Sequence, residues 1–457
     1  MTHTSLTSLT IAEASQLLQR REVSPVELTE AYLAKIDEAD HMLHAFAYIN
    51  PHQALTQARR AADEIARGGW KGPLHGIPLG IKDVIVTADM PTSYGSEAFD
   101  DQSLRRDASV ILLLREAGAI ILGKNTTQTF GVEVPCASTR DPWASSRVAR
   151  GSRDGSAVAV AAHECVASVG SDMGGGIRIP AAFYGVVGLR PTGGLVPRTG
   201  MLPAAASLDR LGPITRSVED ARILLAAMTG VDPADPARYR PDPANWGHGE
   251  PTPLHGAKIG VIRNWSNEAD PAIRRALSAV EQVLKDNGAT LVDVNSPIDD
   301  LTTSTYQAVA LHELAAQHRE SLRTKSHLYS PEVLEVIQAG RSVDERAYAE
   351  ANAAHGCILR AWRSLFIHHD LAACIAPTVP VTACTPGEPT KGCDAFAIPV
   401  SLANLPVVVQ PMGLAEDLLP MSLQWIGRPY GEPRLLRFAQ SYEQLTDWLA
   451  TPPPFLR

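Results

Sequence analysis

Lys82 is the first residue of this sequence whose type and position could do chemistry. It ends a short apolar stretch that begins at Ile77 and contains Leu79 and Ile81. A lysine at the end of a strand is either a surface residue, with its head in water, or a partly buried amine. A buried amine loses affinity for protons and can then act as a base. The local sequence leaves both alternatives open.

A glycine-rich turn is the second candidate. The segment Gly170–Gly176 has glycine at its first position and at its last three. It follows a predicted strand, Val166–Val169, and precedes a predicted helix, Ile177–Phe183. Backbone N–H groups at such a place can bind an anion or the oxyanion of a reaction intermediate. A phosphate-binding loop would carry a lysine directly after the glycines, and none follows here. A tight turn without a ligand is the alternative, and both stay open.

The histidines do not have the spacing of a metal site. His312 and His318 are six positions apart, whereas two ligands on one helical face need a spacing of about four. The adjacent His368 and His369 are predicted to lie at the surface. We therefore predict no bound metal, and no segment requires another cofactor.

The composition is that of a large folded protein with an acidic surface. The chain has 457 residues, of which 45% are hydrophobic, and a formal charge of −9. Nucleic-acid binding generally needs a basic patch, and an acidic chain has no attraction for an anionic membrane. No apolar run approaches the length of a membrane-spanning helix, and Met1–Thr10 lacks the regions of a signal peptide. We expect a cytoplasmic protein with a small-molecule ligand, no nucleic acid and no membrane partner; a homodimer stays open.

The cysteines are expected to be reduced thiols that pack as small core residues. None belongs to a C-x-x-C pair. A disulfide between Cys384 and Cys393, which lie close together in a loop-like stretch, is the disfavoured alternative. The six positions are Cys136, Cys165, Cys357, Cys374, Cys384 and Cys393.

Periodicity and capping residues place these candidates in an alternation of strands and helices. Ser24 and Glu27 fit a capping box with Pro25 at the first helical position, and Asp107 is predicted to cap a helix through Leu114. This alternation predicts a sheet covered on both faces, and the Pro-rich stretch 232–253 predicts a long surface connection. Strands are predicted at Pro78–Val86, Ala119–Leu122, Val166–Val169, Val186–Leu189, Lys258–Ile262 and Ala289–Val294, and helices at Leu55–Ala66, Gly155–His163, Pro271–Asp286 and much of 305–370.

Several segments, in shared order and spacing, resemble the amidase signature family. They are Ser24–Leu28, the lysine segment Gly72–Asp83, Gly123–Asn125, Asp141–Trp143, Gly174–Thr192 and Gln424–Pro429. Each segment alone is weak evidence, but their common order along nearly the whole chain makes the resemblance specific. It implies one α/β domain over residues 1–457, with a central mixed β-sheet flanked by helices and a core motif region at about 70–215. It also implies chemistry at the C–N bond of an amide.

The segment Arg150–Ser156 is similar to the family's serine-bearing loop, with Ser152 at the position of its first serine. In this family the attacking serine follows 24 residues later, and this sequence has Gly176 there. The resemblance therefore assigns the family's base to Lys82 and its bridging serine, with a cis peptide bond, to Ser152. The third member of the triad is absent.

The mechanism implied by the resemblance needs that missing hydroxyl. A neutral lysine accepts a proton from the bridging serine, which takes one from the attacking serine. The N–H groups of Met173, Gly174, Gly175 and Gly176 would hold the oxyanion. Gly176 keeps its N–H but cannot form an acyl-enzyme, and losing a triad member typically lowers the rate by several orders of magnitude.

The serine loop departs from the family at further positions. Ala149, Arg150, Arg153 and Asp154 stand where the family has proline, glycine, serine and glycine. Arg153 and Asp154 are either a solvated pair at a loop or residues that reshape the pocket, with the guanidinium offered to an anionic ligand.

Three hypotheses follow for the function. The leading one is a diverged enzyme that binds a small amide or carboxyl-bearing compound and uses Lys82 and Ser152 for non-standard chemistry. Ser156 and Ser171 are further substitute nucleophiles. The second is a non-catalytic binding or subunit protein. The third is an amide hydrolase inactivated by a serine-to-glycine change at position 176.

Overall fold

The computed structural model describes residues 6–99, 106–131, 139–144, 154–235, 254–383, 392–448 and 451–456. Ser152 and Arg153 lie outside these residues, as do Cys384, the cis peptide expected at Ser152 and most of the connection predicted at 232–253. The start of that connection packs on the body of the protein, where Asp232 accepts a hydrogen bond from the Ser109 hydroxyl at 2.6 Å.

A mixed sheet runs through the described residues. Its eleven strands are β1 Phe46–Ile49, β2 Pro78–Lys82, β3 Ile120–Asn125, β4 Ala167–Asp172, β5 Val187–Arg190, β6 Arg210–Thr215, β7 Lys258–Ile262, β8 Thr290–Val294, β9 Ala373–Pro377, β10 Val407–Leu414 and β11 Pro420–Ile426. They form one sheet in the order β1-β3-β2-β4-β6-β5-β10-β11-β9-β7-β8. β2 is parallel to β3 and β4, and β7 is parallel to β8 and β9, whereas the other neighbours are antiparallel. The predicted fold class, a single α/β domain with a mixed sheet flanked by helices, is confirmed.

The flanking helices bury their apolar sides against this sheet or against one another. They are α1 Ile11–Gln19, α2 Pro25–Leu43, α3 Pro51–Ala66, α4 Ser109–Glu116, α5 Gly155–Ala161, α6 Arg178–Tyr184, α7 Val218–Met228, α8 Arg263–Glu268, α9 Pro271–Asp286, α10 Asp299–Gln317, α11 Arg319–Lys325, α12 Pro331–Arg341, α13 Glu345–His368, α14 Ile398–Leu402 and α15 Glu432–Glu443. Among the helices that the structure describes, none is long and apolar enough to cross a membrane.

The capping residues show where local sequence signals determine a helix start and where they do not. At α2 the Ser24 hydroxyl accepts the Glu27 amide at 3.1 Å, and the Glu27 carboxylate accepts the Ser24 amide at 2.8 Å, as predicted. The predicted cap at Asp107 is wrong, since α4 begins at Ser109 without a side-chain cap. Asp107 instead accepts the Ala88 amide at 2.8 Å and so serves tertiary structure.

The strands that carry the candidate residues are buried along their whole lengths. β2, β3 and β6 are buried at every position, and β4 at every position except Ser171. β4 extends three residues beyond the prediction, to Asp172, because it pairs with β6 from Ala167↔Thr215 to Asp172↔Arg210. This pairing fixes the start of the glycine-rich turn.

Candidate active site

The glycine-rich turn and Lys82 meet at the carboxyl ends of two neighbouring parallel strands. β2 pairs with β4 in the register Ile81↔Val169, so Lys82 and the segment after Asp172 emerge at the same edge of the sheet. Ligands commonly bind at this edge in α/β proteins. A cavity of about 330 Å³ opens there, and its lining includes Lys82, Gln128, Ser171, Met173, Gly174, Gly175, Gly176, Ile179, Asp209, Tyr306, Ala310, Leu311, Leu314, Val336 and Asp394.

Lys82 is buried and forms an ion pair with Asp154. Its Nζ lies 2.6 Å from Asp154 Oδ2, and the two side chains are 7% and 0% exposed. The second carboxylate oxygen of Asp154 accepts the Ser156 amide at 2.8 Å, so Asp154 also caps α5. The surface alternative for Lys82 is therefore wrong, and so is the solvated alternative for Asp154.

This ion pair bears directly on what Lys82 can do. A lysine must be neutral to accept a proton, whereas a carboxylate at hydrogen-bond distance stabilises the charged ammonium. Asp154 does not line the cavity, and both of its carboxylate oxygens already accept hydrogen bonds. Lys82 therefore presents a charge-neutralised ammonium group, a strong hydrogen-bond donor, to the cavity.

The carboxylate of Asp172 fixes the glycine-rich turn. It accepts the amides of Gly175 at 3.0 Å and Ile177 at 3.2 Å. Its two oxygens also bind the guanidinium of Arg178 at 2.9 and 2.8 Å, and Arg190 at 3.2 Å. Burial alone would raise the pKa of Asp172, but the two guanidinium groups and the amides outweigh it and hold the pKa well below its usual range.

The amides of the turn are therefore not equivalent. Gly175 was expected to donate to an oxyanion, but its N–H is bound to Asp172, which contradicts that expectation. Within the described residues, the amides of Met173, Gly174 and Gly176 donate to no other group. These three N–H groups are the ones left to bind an oxygen atom in the cavity.

The backbone at two of the glycines has no room for a side chain. A Cβ at Gly176 would lie 2.5 Å from the carbonyl oxygen of Ser171, which is closer than real Cβ atoms come. A Cβ at Gly174 would collide with the hydroxyl group of Tyr306. The turn is therefore shaped for glycine at position 176, and a serine there would need the backbone to move.

Acidic groups on the far side of the cavity were missed by the sequence analysis. Asp209 and Asp394 both line it, and burial raises the pKa of both carboxyl groups. Arg198 and Arg210 lie near Asp209 but donate to its backbone oxygen, at 3.2 and 2.6 Å. No local motif marks these acids; only the pairing of β6 with β4, and the position of the turn before α14, bring them to the cavity.

The remaining residues considered in the sequence analysis are two serines and two histidines. Ser171 lines the cavity, whereas Ser156 lies in α5 with its hydroxyl buried and unpartnered among the described residues. His312, in α10, and His318, which directly follows α10, contact different groups: His312 Nδ1 is 3.0 Å from the Val343 carbonyl oxygen, and His318 Nδ1 is 2.9 Å from the Tyr329 hydroxyl.

Fold and site together define an amidase-type α/β protein, and comparison with known proteins agrees. The family model described as Amidase matches residues 27–436. The chain is 34% identical to a glutamyl-tRNA(Gln) amidotransferase subunit from Geobacter metallireducens, over 97% of this chain and 98% of that protein. The structure of peptide amidase from Stenotrophomonas maltophilia superposes with a TM-score of 0.86 at 30% identity, covering 98% of both chains. The corresponding glutamyl-tRNA(Gln) amidotransferase subunit from Thermotoga maritima gives 0.83 at 28% identity, covering 99% of this chain and 98% of that one.

This chain belongs to the amidase family. It keeps the family's fold over nearly its whole length, and Lys82 lies in the cavity beside the glycine-rich turn. It combines that fold with an ion pair at Lys82 and with glycine at position 176.

Proposed function

We propose that this protein binds a small compound with an amide or carboxyl group in the cavity at Lys82, without forming an acyl-enzyme at position 176. The supporting observation is the 2.6 Å pair between Lys82 and the buried carboxylate of Asp154. A paired ammonium is poorly suited to accept a proton and well suited to donate to a carbonyl or carboxylate oxygen.

The remaining groups of the cavity support an amide as the ligand. The backbone amides of Gly174 and Gly176, together with Lys82, offer donors to the ligand's oxygen atom. Asp209 and Asp394 offer acceptors to its nitrogen. An amide carries both kinds of group on one planar unit, whereas a simple carboxylate has no N–H to donate to Asp394 or to Asp209, whose Oδ2 atom already accepts the Ala205 amide at 2.9 Å.

An apolar wall supports a ligand with a hydrocarbon part. α10 contributes Ala310, Leu311 and Leu314, and α12 contributes Val336. Small-molecule sites generally combine such walls with a few polar groups that fix orientation. The proposed ligand is thus a small amide with an apolar substituent.

A diverged enzyme that uses Lys82 and Ser152 is the second candidate. It is supported by the position of Lys82 in the cavity, together with the Ser171 hydroxyl as another potential nucleophile. The first proposal also includes a binding protein that works as one subunit of a larger complex. Its support is that the relatives of this chain include amidotransferase subunits.

The test measures binding and turnover on the same protein. Small primary amides and their matching carboxylates are titrated by calorimetry, and ammonia release is followed over hours. We compare the wild type with Lys82→Met and with the control Lys71→Met, whose lysine pairs with Glu64 at 2.6 Å and does not line the cavity.

We expect amide binding without ammonia release, weakened about tenfold to a hundredfold by Lys82→Met and unchanged by Lys71→Met. Steady ammonia release that Lys82→Met abolishes would instead establish the second candidate. Binding that Lys82→Met leaves unchanged would refute the assigned role of Lys82.

A further inference from the structure

A second cavity, of about 480 Å³, lies at the other end of the β4–β6 pair. The first cavity adjoins the Asp172↔Arg210 end, whereas the second is lined by His163, which precedes β4, and Arg216, which follows β6. The two cavities share no lining residue. A ligand in the second cavity would therefore bind independently of the Lys82 site.

A buried amide oxygen in this cavity has no hydrogen-bond partner. Gln410 lies on β10, is 2% exposed and lines the cavity. Its Oε1 atom accepts no hydrogen bond from any described residue. Buried polar atoms are nearly always satisfied in folded proteins, so this oxygen indicates a donor from outside the chain.

A cation lines the same cavity without an ionic partner. The guanidinium of Arg216 donates to the backbone oxygens of Leu9 and Cys165. Among the described residues it forms no salt bridge with a carboxylate. The guanidinium also interacts with the Tyr32 hydroxyl and, at longer range, with the Asp220 carboxyl. Since no carboxylate pairs with it directly, an anionic group in the cavity can do so.

The carboxyl group of Glu443 also lines this cavity. Glu443 Oε1 accepts the Val218 amide at 2.9 Å, and within the described chain Glu443 forms no salt bridge with a cation. Burial, reinforced by the nearby Asp220 and Glu219, raises the pKa of Glu443 to about 7. Because Arg216 and Glu443 line one cavity without pairing with each other, a ligand with two opposite charges could bind both.

The lining also includes Glu13, His163 and hydroxyl residues, and Glu13 already accepts hydrogen bonds from the amide and hydroxyl of Thr10. The remaining lining residues are aromatic or apolar. Trp143, Tyr184 and Trp448 contribute rings, and Pro452 and Pro453 close one side. The indole N–H of Trp143 donates to the Tyr184 carbonyl at 2.8 Å, which satisfies its polar atom. These surfaces favour an apolar side chain on the ligand.

We propose that this second cavity binds a small zwitterion with an apolar side chain, of the class of the α-amino acids. The carboxylate pairs with Arg216, and the ammonium group donates to Gln410 Oε1 and to Glu443. The side chain packs among Trp143, Trp448 and the prolines. A ligand with only one of the two charges leaves either Arg216 or Glu443 without an ionic partner, although both keep their backbone hydrogen bonds.

The test uses L-phenylalanine as the probe, with phenylacetate and phenethylamine as analogues that each lack one charged group. Binding to the full-length protein is measured by calorimetry and by tryptophan fluorescence, because two tryptophans line the cavity. The variants are Gln410→Leu and Glu443→Gln. The controls are Glu350→Gln, at an exposed pair on α13, and Lys82→Met in the first cavity.

We expect saturable binding of one L-phenylalanine per chain, and binding of either analogue at least about tenfold weaker. Gln410→Leu and Glu443→Gln should each weaken binding by a similar factor, while Glu350→Gln and Lys82→Met leave it unchanged. The comparison of the three probes needs only the wild-type protein, so it decides the matter even if a variant fails to fold.

Three results would overturn the proposal. They are no saturable binding at several millimolar, equal binding of all three probes, and loss of binding in a Lys82→Met protein that urea titration shows to be folded, which would place the ligand in the first cavity. Since the two cavities share no residue, the first two results leave the amide proposed for the Lys82 site untouched, whereas the third would show that the Lys82 site accepts a zwitterion.

Discussion

Replacing Asp154 by asparagine should destabilise the protein, because it leaves the buried charge of Lys82 without its partner. Asparagine keeps the size of the side chain and remains a good cap for α5, so the loss of negative charge is the main change. Removing one partner of a buried ion pair typically costs about 3–5 kcal/mol, because the other charge stays buried alone. Lys82 lines the cavity and is 7% exposed, so its ammonium can reach water, and we expect about 3 kcal/mol.

A double-mutant cycle isolates that contribution from other effects. Lys82→Met leaves the Asp154 carboxylate with only the Ser156 amide, whereas the double variant leaves no buried charge at either position. We expect the double variant to be more stable than the sum of the single changes predicts, by about 2–3 kcal/mol. The free energies of unfolding come from urea titrations, with the slope checked for each variant.

An exposed pair serves as the matched control for this cycle. Arg346 and Glu350 lie 2.9 Å apart, with side chains 87% and 66% exposed, so their coupling should be close to zero. If the coupling of Lys82 and Asp154 is below about 0.5 kcal/mol, the pair is no stronger than a surface contact. The argument that Lys82 is held as an ammonium group would then fail.

Three further changes test the packing of this chain. Gly176→Ser should destabilise the protein by about 1–3 kcal/mol in urea titrations and should not produce amide hydrolysis in an ammonia assay, because its Cβ would lie 2.5 Å from the Ser171 carbonyl oxygen. Gly356→Ala, in the middle of α13 where a Cβ has room, should instead stabilise the protein by roughly 0.5–1 kcal/mol. A loss of stability in Gly356→Ala would show that the space around a built Cβ does not predict the effect of replacing these glycines. Glu164 has both carboxyl oxygens buried and unpartnered among the described residues, and burial, reinforced by Asp40, raises its pKa well above 4.5. The stability that this raised pKa provides is present below pH 4.5 and is lost as the pH rises towards the folded pKa. Glu164→Leu should therefore flatten the fall in stability above pH 4.5, and an unchanged slope would contradict this.

Local signals were sufficient for much of the fold. The capping box at Ser24 and the apolar period after it determined α2, and β7 and α9 begin and end at the predicted residues. Asp107 was misassigned because its carboxylate binds Ala88 and Arg115 rather than the first turn of α4. A tertiary contact of this kind competes with a cap and leaves no trace in the local pattern.

The sequence predicted only those residues of the candidate site that belong to continuous motifs. Lys82 and the turn from Met173 to Gly176 come from two such segments. The pairing of Lys82 with Asp154 joins residues 72 positions apart, and it depends on where α5 begins relative to β2. The hydrogen bond between Gly175 and Asp172 was missed because glycine-rich turns predict free amides, and the carboxylate that accepts this amide lies only three residues before Gly175.

The ion pair at Lys82 and the glycine at position 176 are physically consistent with each other. In the family mechanism a carboxylate beside the lysine would oppose catalysis, because the lysine must lose its proton to act as a base. Without a hydroxyl at position 176 that opposition has no consequence, and a carboxylate at Asp154 can stabilise both Lys82 and the start of α5. The turn itself is held by Asp172 and its arginines, none of which requires a serine to stay in place. Packing and electrostatics are therefore sufficient to hold the cavity of the amidase fold in shape, and the preservation of that cavity is not an argument that hydrolysis is preserved.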